Sequence, residues 1–261
     1  MSGKSIHKIV VVGSGNLAFH LAETFYKAGK DIVAIVARNE LAGQELAKLT
    51  GAAYLPSLEK CPADVDLIVL AVSDTAISTL ADGLSLNEAI VVHISGSTPI
   101  EVFRHHKNYG VFYPLQSFSK GKAVRFKDIP VLIEGNSAEV SDALIQLGKE
   151  ISNTVHQAST KDRRYLHLAA VFAANFSNAL YAVADEIMKE NTSLPFDILH
   201  PLIQETALKL TQLSPKDAQT GPARRNDTAI MSAQLELLQN KPELQDIYRN
   251  LSAQIQKNYH A

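Results

Sequence analysis

Cysteine is almost absent from this chain. Cys61 stands alone, so no internal disulfide can form, and no cysteine–histidine cluster has the spacing of a zinc site. No metal is expected. Tryptophan is missing altogether. A charge excess is missing too: 25 Lys and Arg against 27 Asp and Glu leave a net −2, with no general pull towards nucleic acid or anionic lipid. There are no internal repeats and no low-complexity tracts. A 46% apolar, 20% charged composition over 261 residues can bury a substantial core. The opening Met1-Ser2-Gly3-Lys4-Ser5 is short and polar, and the apolar run Ile9 to Val12 is too brief for a secretory leader. No run approaches the roughly 20 apolar residues that span a bilayer. These absences give the expectation of a soluble, cytoplasmic protein acting on a small molecule, with neither nucleic acid nor membrane as partner.

What is present is an alternation of periods. Ile9 to Val12, Asp31 to Ala37, Asp66 to Val72 and Ala89 to Ile94 are runs apolar on both faces, the mark of parallel strands covered by helices on each side. Between them, Asn16 to Ala28 and Leu41 to Leu49 read as helices, with Gly29 and Gly51 at their ends. Further strands are expected at Tyr109 to Tyr113, Ile129 to Ile133 and Thr154 to His156, with a helix from Ala138 to Glu150. This alternation predicts a doubly wound α/β domain with a mostly parallel sheet.

After Ser159 the pattern changes. Helices are expected over Arg164 to Lys189, Pro195 to Leu213, Asn226 to Gln239 and Pro242 to Tyr259, with a loop from Ser214 to Arg225 and no convincing strand. The expected division is an α/β domain over residues 1–157 and an all-α domain over 158–261.

The strongest motif is Gly13-Ser14-Gly15-Asn16-Leu17-Ala18, between the first strand and the first helix. There it is the dinucleotide-binding fingerprint. Gly13 permits a tight turn, Gly15 lets a pyrophosphate approach the backbone, and Ala18 allows close packing of helix on strand. The free amides of the helix N-terminus then face the phosphates. At the tip of the second strand, Val36-Ala37-Arg38-Asn39 carries no acid for a ribose hydroxyl. Arg38 suits a 2′-phosphate instead, so NADP is favoured over NAD.

Other candidates lie at later strand ends. Ala71, Val72 and Ser73 should line the nicotinamide half of the crevice, while Asp74 reads as a cap of the next helix. Ser95 and Gly96 follow the strand ending at His93-Ile94, with His93 read equally as a core or an active histidine. In Phe112-Tyr113-Pro114-Leu115-Gln116-Ser117-Phe118, Gln116 and Ser117 are candidates for a polar substrate group; the segment is otherwise a loop packing against the helical half. On the long helix, with His167 at zero, Val171, Asn175 and Asn178 fall at roughly 40°, 80° and 20° on an ideal 3.6-residue turn. That stripe reads either as an interhelical network or as a face towards the nicotinamide, with His167 a general acid/base and Asn175 an orienting donor. Arg224 and Arg225, read as opening a helix, oppose its dipole; either they are a solvated pair or they hold an anionic substrate, a phosphate or a carboxylate of a partner subunit, with Arg225 the candidate for a substrate's anionic tail.

Together these segments resemble the Rossmann-like reductases of the 6-phosphogluconate dehydrogenase type, a group that includes pyrroline-5-carboxylate reductase, 3-hydroxyisobutyrate dehydrogenase, ketopantoate reductase and coenzyme-F420-dependent NADP reductase. More closely, the chain resembles bacterial proteins that join a Rossmann-like domain to DUF2520. The closer likeness rests on Gly13 to Ala18, His93 to Ser97, Pro114 to Phe118, His167 with Asn175, and Gly221 to Asp227. The resemblance implies an NADP domain, a helical domain that forms a homodimer, and an active site in the cleft between the two. One departure matters: hydroxyacid dehydrogenases of this group carry a lysine four residues before the helix asparagine, and here that residue is Val171. The reading is an NADP(H)-dependent oxidoreductase acting on a small anionic substrate. A pyrroline-5-carboxylate-like imine reductase and a non-catalytic NADP-binding sensor stand as alternatives.

Overall fold

The computed structural model describes residues 5–84 and 88–260. The chain divides into two compact units, Met1–Asn178 and Ala179–Ala261. In the first, one sheet holds eight strands: β1 Lys8–Val12, β2 Asp31–Val36, β3 Ala53–Leu55, β4 Leu67–Leu70, β5 Ile90–His93, β6 Asn108–Pro114, β7 Val131–Gly135 and β8 Val155–Gln157. Their order is β3-β2-β1-β4-β5-β6-β7-β8, and every pairing is parallel except β6 with β7.

Helices α1 Asn16–Lys27, α2 Glu40–Thr50, α3 Asp74–Gly83 and α4 Ala138–Ile151 cover the sheet. Alternation along β1 shows why both faces had to be apolar. Ile9 and Val11 pack with Leu21 and Phe25 of α1 and Leu144 of α4 on one side. Val10 and Val12 pack with Ile77 and Ala81 of α3 on the other. Strand order reverses between β1 and β4, which opens a crevice beyond their carboxyl ends. The expected α/β architecture is present. The edge strand β3 is an addition: three residues are too short to show a period, and pairing with β2 supplies what propensity does not.

Helix α5, Thr160–Asn191, is longer than expected and irregular. Ser159 and Asp162 cap its start reciprocally. Residues Val171–Phe176 are π-helical, so every later residue is turned away from its ideal-helix position. The stripe joining His167 to Asn175 and Asn178 therefore does not follow the 3.6-residue geometry. By length and composition alone α5 could also cross a membrane, contrary to the expectation that no segment would; one such helix is weak grounds for a membrane span.

The second unit contains the end of α5, then α6 His200–Lys209, α7 Pro215–Ala218, α8 Pro222–Arg225, α9 Thr228–Leu237 and α10 Pro242–His260. The expected loop 214–225 thus holds two short helices. Arg224 and Arg225 end one of them rather than opening a helix, so they complement its dipole and do not oppose it. Asp227 caps α9, accepting from the Ile230 amide at 3.2 Å. Asn226 takes a left-handed conformation, φ 56°.

The loop after β5 is built around three buried polar side chains, His93, Ser95 and Arg163. His93 is 0% exposed, and its Nδ1 accepts from the Ser95 amide at 3.1 Å. The ring is neutral, and with Nδ1 accepting its proton sits on Nε2, which has no hydrogen-bond partner among the described residues. Ser95 Oγ then accepts from the Ser97 and Thr98 amides at 3.0 and 2.9 Å. From α5, Arg163, 1% exposed, donates through Nη1 to the Ser95 and Thr98 carbonyls, each at 2.8 Å. Its Nη2 donates to Glu134 of β7 at 3.1 Å and to Thr160 at 3.2 Å. One guanidinium thus ties the first turns of α5 to the carboxyl edge of the sheet.

Burial, and secondarily the Arg163 charge, lower the His93 pKa from 6.5 to about 3. The unfolded chain takes up this proton below pH 6.5 and the folded chain does not, so stability present above that pH is lost on acidification towards pH 3. His93→Leu is expected to remove a stability slope of about 1.4 kcal/mol per pH unit in this window. Urea unfolding of both proteins across the range checks this; parallel curves would refute it.

Candidate functional site

At the end of β1 the backbone turns through Gly13, φ +126°, a conformation that strains any other residue. A Cβ here would also overlap the Ala71 carbonyl oxygen of the neighbouring strand end. Gly13 donates its amide to Val36 at 2.8 Å, which draws the β1 and β2 tips together. Gly15 is the N-cap of α1 and has open space where a side chain would be. It offers no capping side chain, and the first turn of α1 carries no acid. The leading amides of α1 are therefore left for an external anion, at the positive end of the helix.

This turn forms one end of a cleft of about 1490 Å³. The cleft is lined by Gly13, Ser14, Gly15 and Leu17, by Arg38 and Asn39 at the β2 tip, and by Ala71, Val72 and Ser73 after β4. Arg38 is exposed and makes no hydrogen bond or ion pair to another described residue. Asn39 caps α2, accepting from the Ala42 amide at 3.1 Å. Ser73, not Asp74, is the N-cap of α3; Asp74 is its first residue. Asn16 does not line the cleft. Its side-chain amide donates to the Phe118 carbonyl at 3.0 Å and straps the loop after β6 to α1. His20 bonds the next carbonyl, Ser119, at 3.0 Å. That loop therefore packs on α1 and on Phe126, within the first unit.

Ser95, Gly96, Tyr113, Gln116 and His167 line the same cleft. His167 follows Arg163 by one turn, so the Arg163 anchor brings it to the loop after β5. The seat is shaped by Gly96: a Cβ there would lie 2.5 Å from His167 Cγ and Nδ1. In that seat His167 Nδ1 is 2.9 Å from the Tyr113 hydroxyl, with the rings edge to face. Burial raises the Tyr113 pKa, opposed by the Arg163 charge and reinforced by Asp74, so the phenol keeps its proton at neutral pH.

The structure thus gathers most of the expected residues, from Gly13 to His167, along one cleft. Ser95 lines it, but its hydroxyl already accepts two loop amides. Gln116 lines it with its carbonyl oxygen turned back to the Ser117 amide at 2.8 Å. Ser117, Asn175 and Asn178 are exposed and are not among the lining residues, and Arg225 is exposed in the second unit. Sequence reasoning passed over Tyr113 and Arg163. An aromatic ending a buried strand reads as core, and an arginine within Lys161-Asp162-Arg163-Arg164 reads as a solvated helix start. The usable signal was spacing, since Arg163 stands four residues before His167.

Gly96→Ala is expected to displace the His167 ring, at a cost of about 1–3 kcal/mol from overpacking. Chemical denaturation measures the loss, and wild-type stability would contradict the packing described.

Residues 8–96 match the family described as coenzyme F420-dependent NADP oxidoreductase, and residues 129–255 match DUF2520, a domain of unknown function. A Bacteroides fragilis protein classed as an NADP oxidoreductase is 41% identical, with a TM-score of 0.90 over 97% of this chain and 98% of that one. Protein TM1727 of Thermotoga maritima is 25% identical, with a TM-score of 0.76 over 94% of this chain and 99% of that one. The pyrroline-5-carboxylate reductase of Streptococcus pyogenes shares the fold, at 16% identity and a TM-score of 0.63 over 96% and 98% of the two chains. No curated protein matches this chain. Its identity to the Bacteroides protein over nearly the whole length of both chains places it in that family of NADP oxidoreductases, with DUF2520 as its second part.

Proposed function

We propose that the chain is an NADP(H)-dependent oxidoreductase that moves a hydride between the nicotinamide and a small substrate at the His167 end of the cleft. The observation that carries this reading is one continuous cleft. It runs from an uncapped helix N-terminus and from Arg38, which has no partner among the described residues, to the Tyr113–His167 pair. The amides after Gly13 would hold the diphosphate, and Arg38 the 2′-phosphate. When bound, the cofactor supplies the hydride; the protein aligns it and meets the charge that develops on the substrate. Val171, where the hydroxyacid dehydrogenases that the chain resembles have lysine, leaves reduction of an imine or of another cofactor open within this reading.

A homodimer fits the second unit. Among its described residues only Ala223, Leu244 and Ser252 are buried, while Leu202, Leu208 and Leu237 are more than half exposed. So little core cannot stabilise a helical unit, and a second copy is the partner that would cover it.

Because the chain lacks tryptophan, NADPH emission can be titrated with little background. Saturable binding is expected, and its absence would overturn the assignment. Arg38→Ala is expected to weaken NADPH by about 10–100-fold, from a charged hydrogen bond worth about 1.5–3 kcal/mol, and to leave NADH nearly unchanged. Equal losses for both nucleotides would remove Arg38 as the selector. Light scattering should give twice the 28.4 kDa chain mass; a monomer at micromolar concentration would refute the dimer.

A further inference from the structure

Most polar groups around the β5 loop are consumed by the fold. His93 and Ser95 serve backbone amides, and Arg163 and Glu134 bond each other and Thr160. The Tyr113 hydroxyl differs. Tyr113 lines the cleft, the one described side-chain partner of its hydroxyl is His167 Nδ1, and the residue stands at the carboxyl end of a central strand that pairs parallel with β5 and antiparallel with β7. His167 is held from the other direction, by Arg163 one turn earlier and by Gly96 beneath its ring.

A bond between a phenol and an imidazole has two arrangements. If the phenol donates to Nδ1, its only proton is turned away from substrate. If Nδ1–H donates to the phenol oxygen, the phenolic proton is free for the cleft. We propose that His167 carries its proton on Nδ1 and donates it to the Tyr113 oxygen, and that Tyr113 is the group that delivers a proton to the substrate.

This assignment rests on the oxidoreductase reading and deepens it. A C=O or C=N carbon that takes the hydride gains a C–H bond, and the cofactor leaves oxidised. The π electron pair passes to the heteroatom, which takes the proton from Tyr113. The phenolate is met by the Nδ1–H of His167. After the product leaves, the phenolate takes up one proton from solvent, so the net reaction consumes one hydride and one solvent proton and His167 keeps its proton on Nδ1 throughout. Tyr113 is then the catalytic residue and His167 its positioning partner, which inverts the expectation that His167 is itself the acid.

The test is the tautomer of His167 in the free, full-length protein. Histidine nitrogens are labelled and read by long-range proton–nitrogen correlation above neutral pH, with His167→Gln identifying the signal. The expected result is an Nδ1-protonated ring, and a fall in that tautomer in Tyr113→Phe, where the acceptor is gone. An Nε2-protonated ring with a bare Nδ1, or a tautomer unchanged in Tyr113→Phe, would overturn the proposal. NADPH titration of the same samples separates the two ideas. Binding within about twofold of wild type in Tyr113→Phe leaves the nucleotide site intact. Loss of NADPH binding in the wild type itself would bring down the oxidoreductase reading without touching the tautomer result.

Discussion

A guanidinium can be carried out of water only where its protons are met, and Arg163 meets that condition with four of its five N–H groups: two on loop carbonyls, one on Glu134 and one on Thr160. The remaining Nε–H has no described partner. This buried ion pair is poor grounds for extra stability, because well-packed apolar groups would serve as well or better. What it fixes is position. It joins α5, β7 and the loop after β5 at one point, and the two halves of the reacting end hang from that joint.

The consequences run in both directions along the sheet edge. Towards the nucleotide end, Gly13 lies so close to Ala71 that β1 and β4 act as one floor, and the amides of α1 emerge beside it. Towards the reacting end, the loop bonded through His93 and Ser95 presents Gly96, and Gly96 leaves the volume that His167 occupies. The cleft leaves the leading amides of α1 uncapped and seats an aromatic ring on a glycine, while the buried Arg163 and Glu134 are spent on architecture. Arg38 differs: it stands at the rim of the cleft with no hydrogen-bond or ion-pair partner among the described residues.

Much of this was legible in the sequence because parallel strands buried on both faces cannot hide their composition. Ile9 to Val12 and Leu67 to Leu70 could be read as strands at sight, and Gly13-Ser14-Gly15 could be placed between strand and helix. What stayed hidden depended on tertiary context. The strand Ala53-Tyr54-Leu55 exists by pairing. Asn175 and Asn178 were assigned to the His167 face on an ideal helix, and a π-helical stretch at Val171–Phe176 invalidates that geometry. Tyr113 was indistinguishable from core, and Arg163 from surface, because burial of a charge is visible only once its partners from β5 and β7 are assembled. The pair Arg224-Arg225 was read at the wrong end of a helix because a four-residue helix leaves no periodic trace.

The account stands on a nucleotide lying along the sheet edge with its phosphates on the α1 amides. A crystal structure of the protein with NADPH tests this most directly. The predicted result is the diphosphate against the amides following Gly13, the 2′-phosphate paired with Arg38, and the nicotinamide beside Tyr113 and His167. A nucleotide bound elsewhere, or a crevice closed by the chain's own side chains, would contradict it.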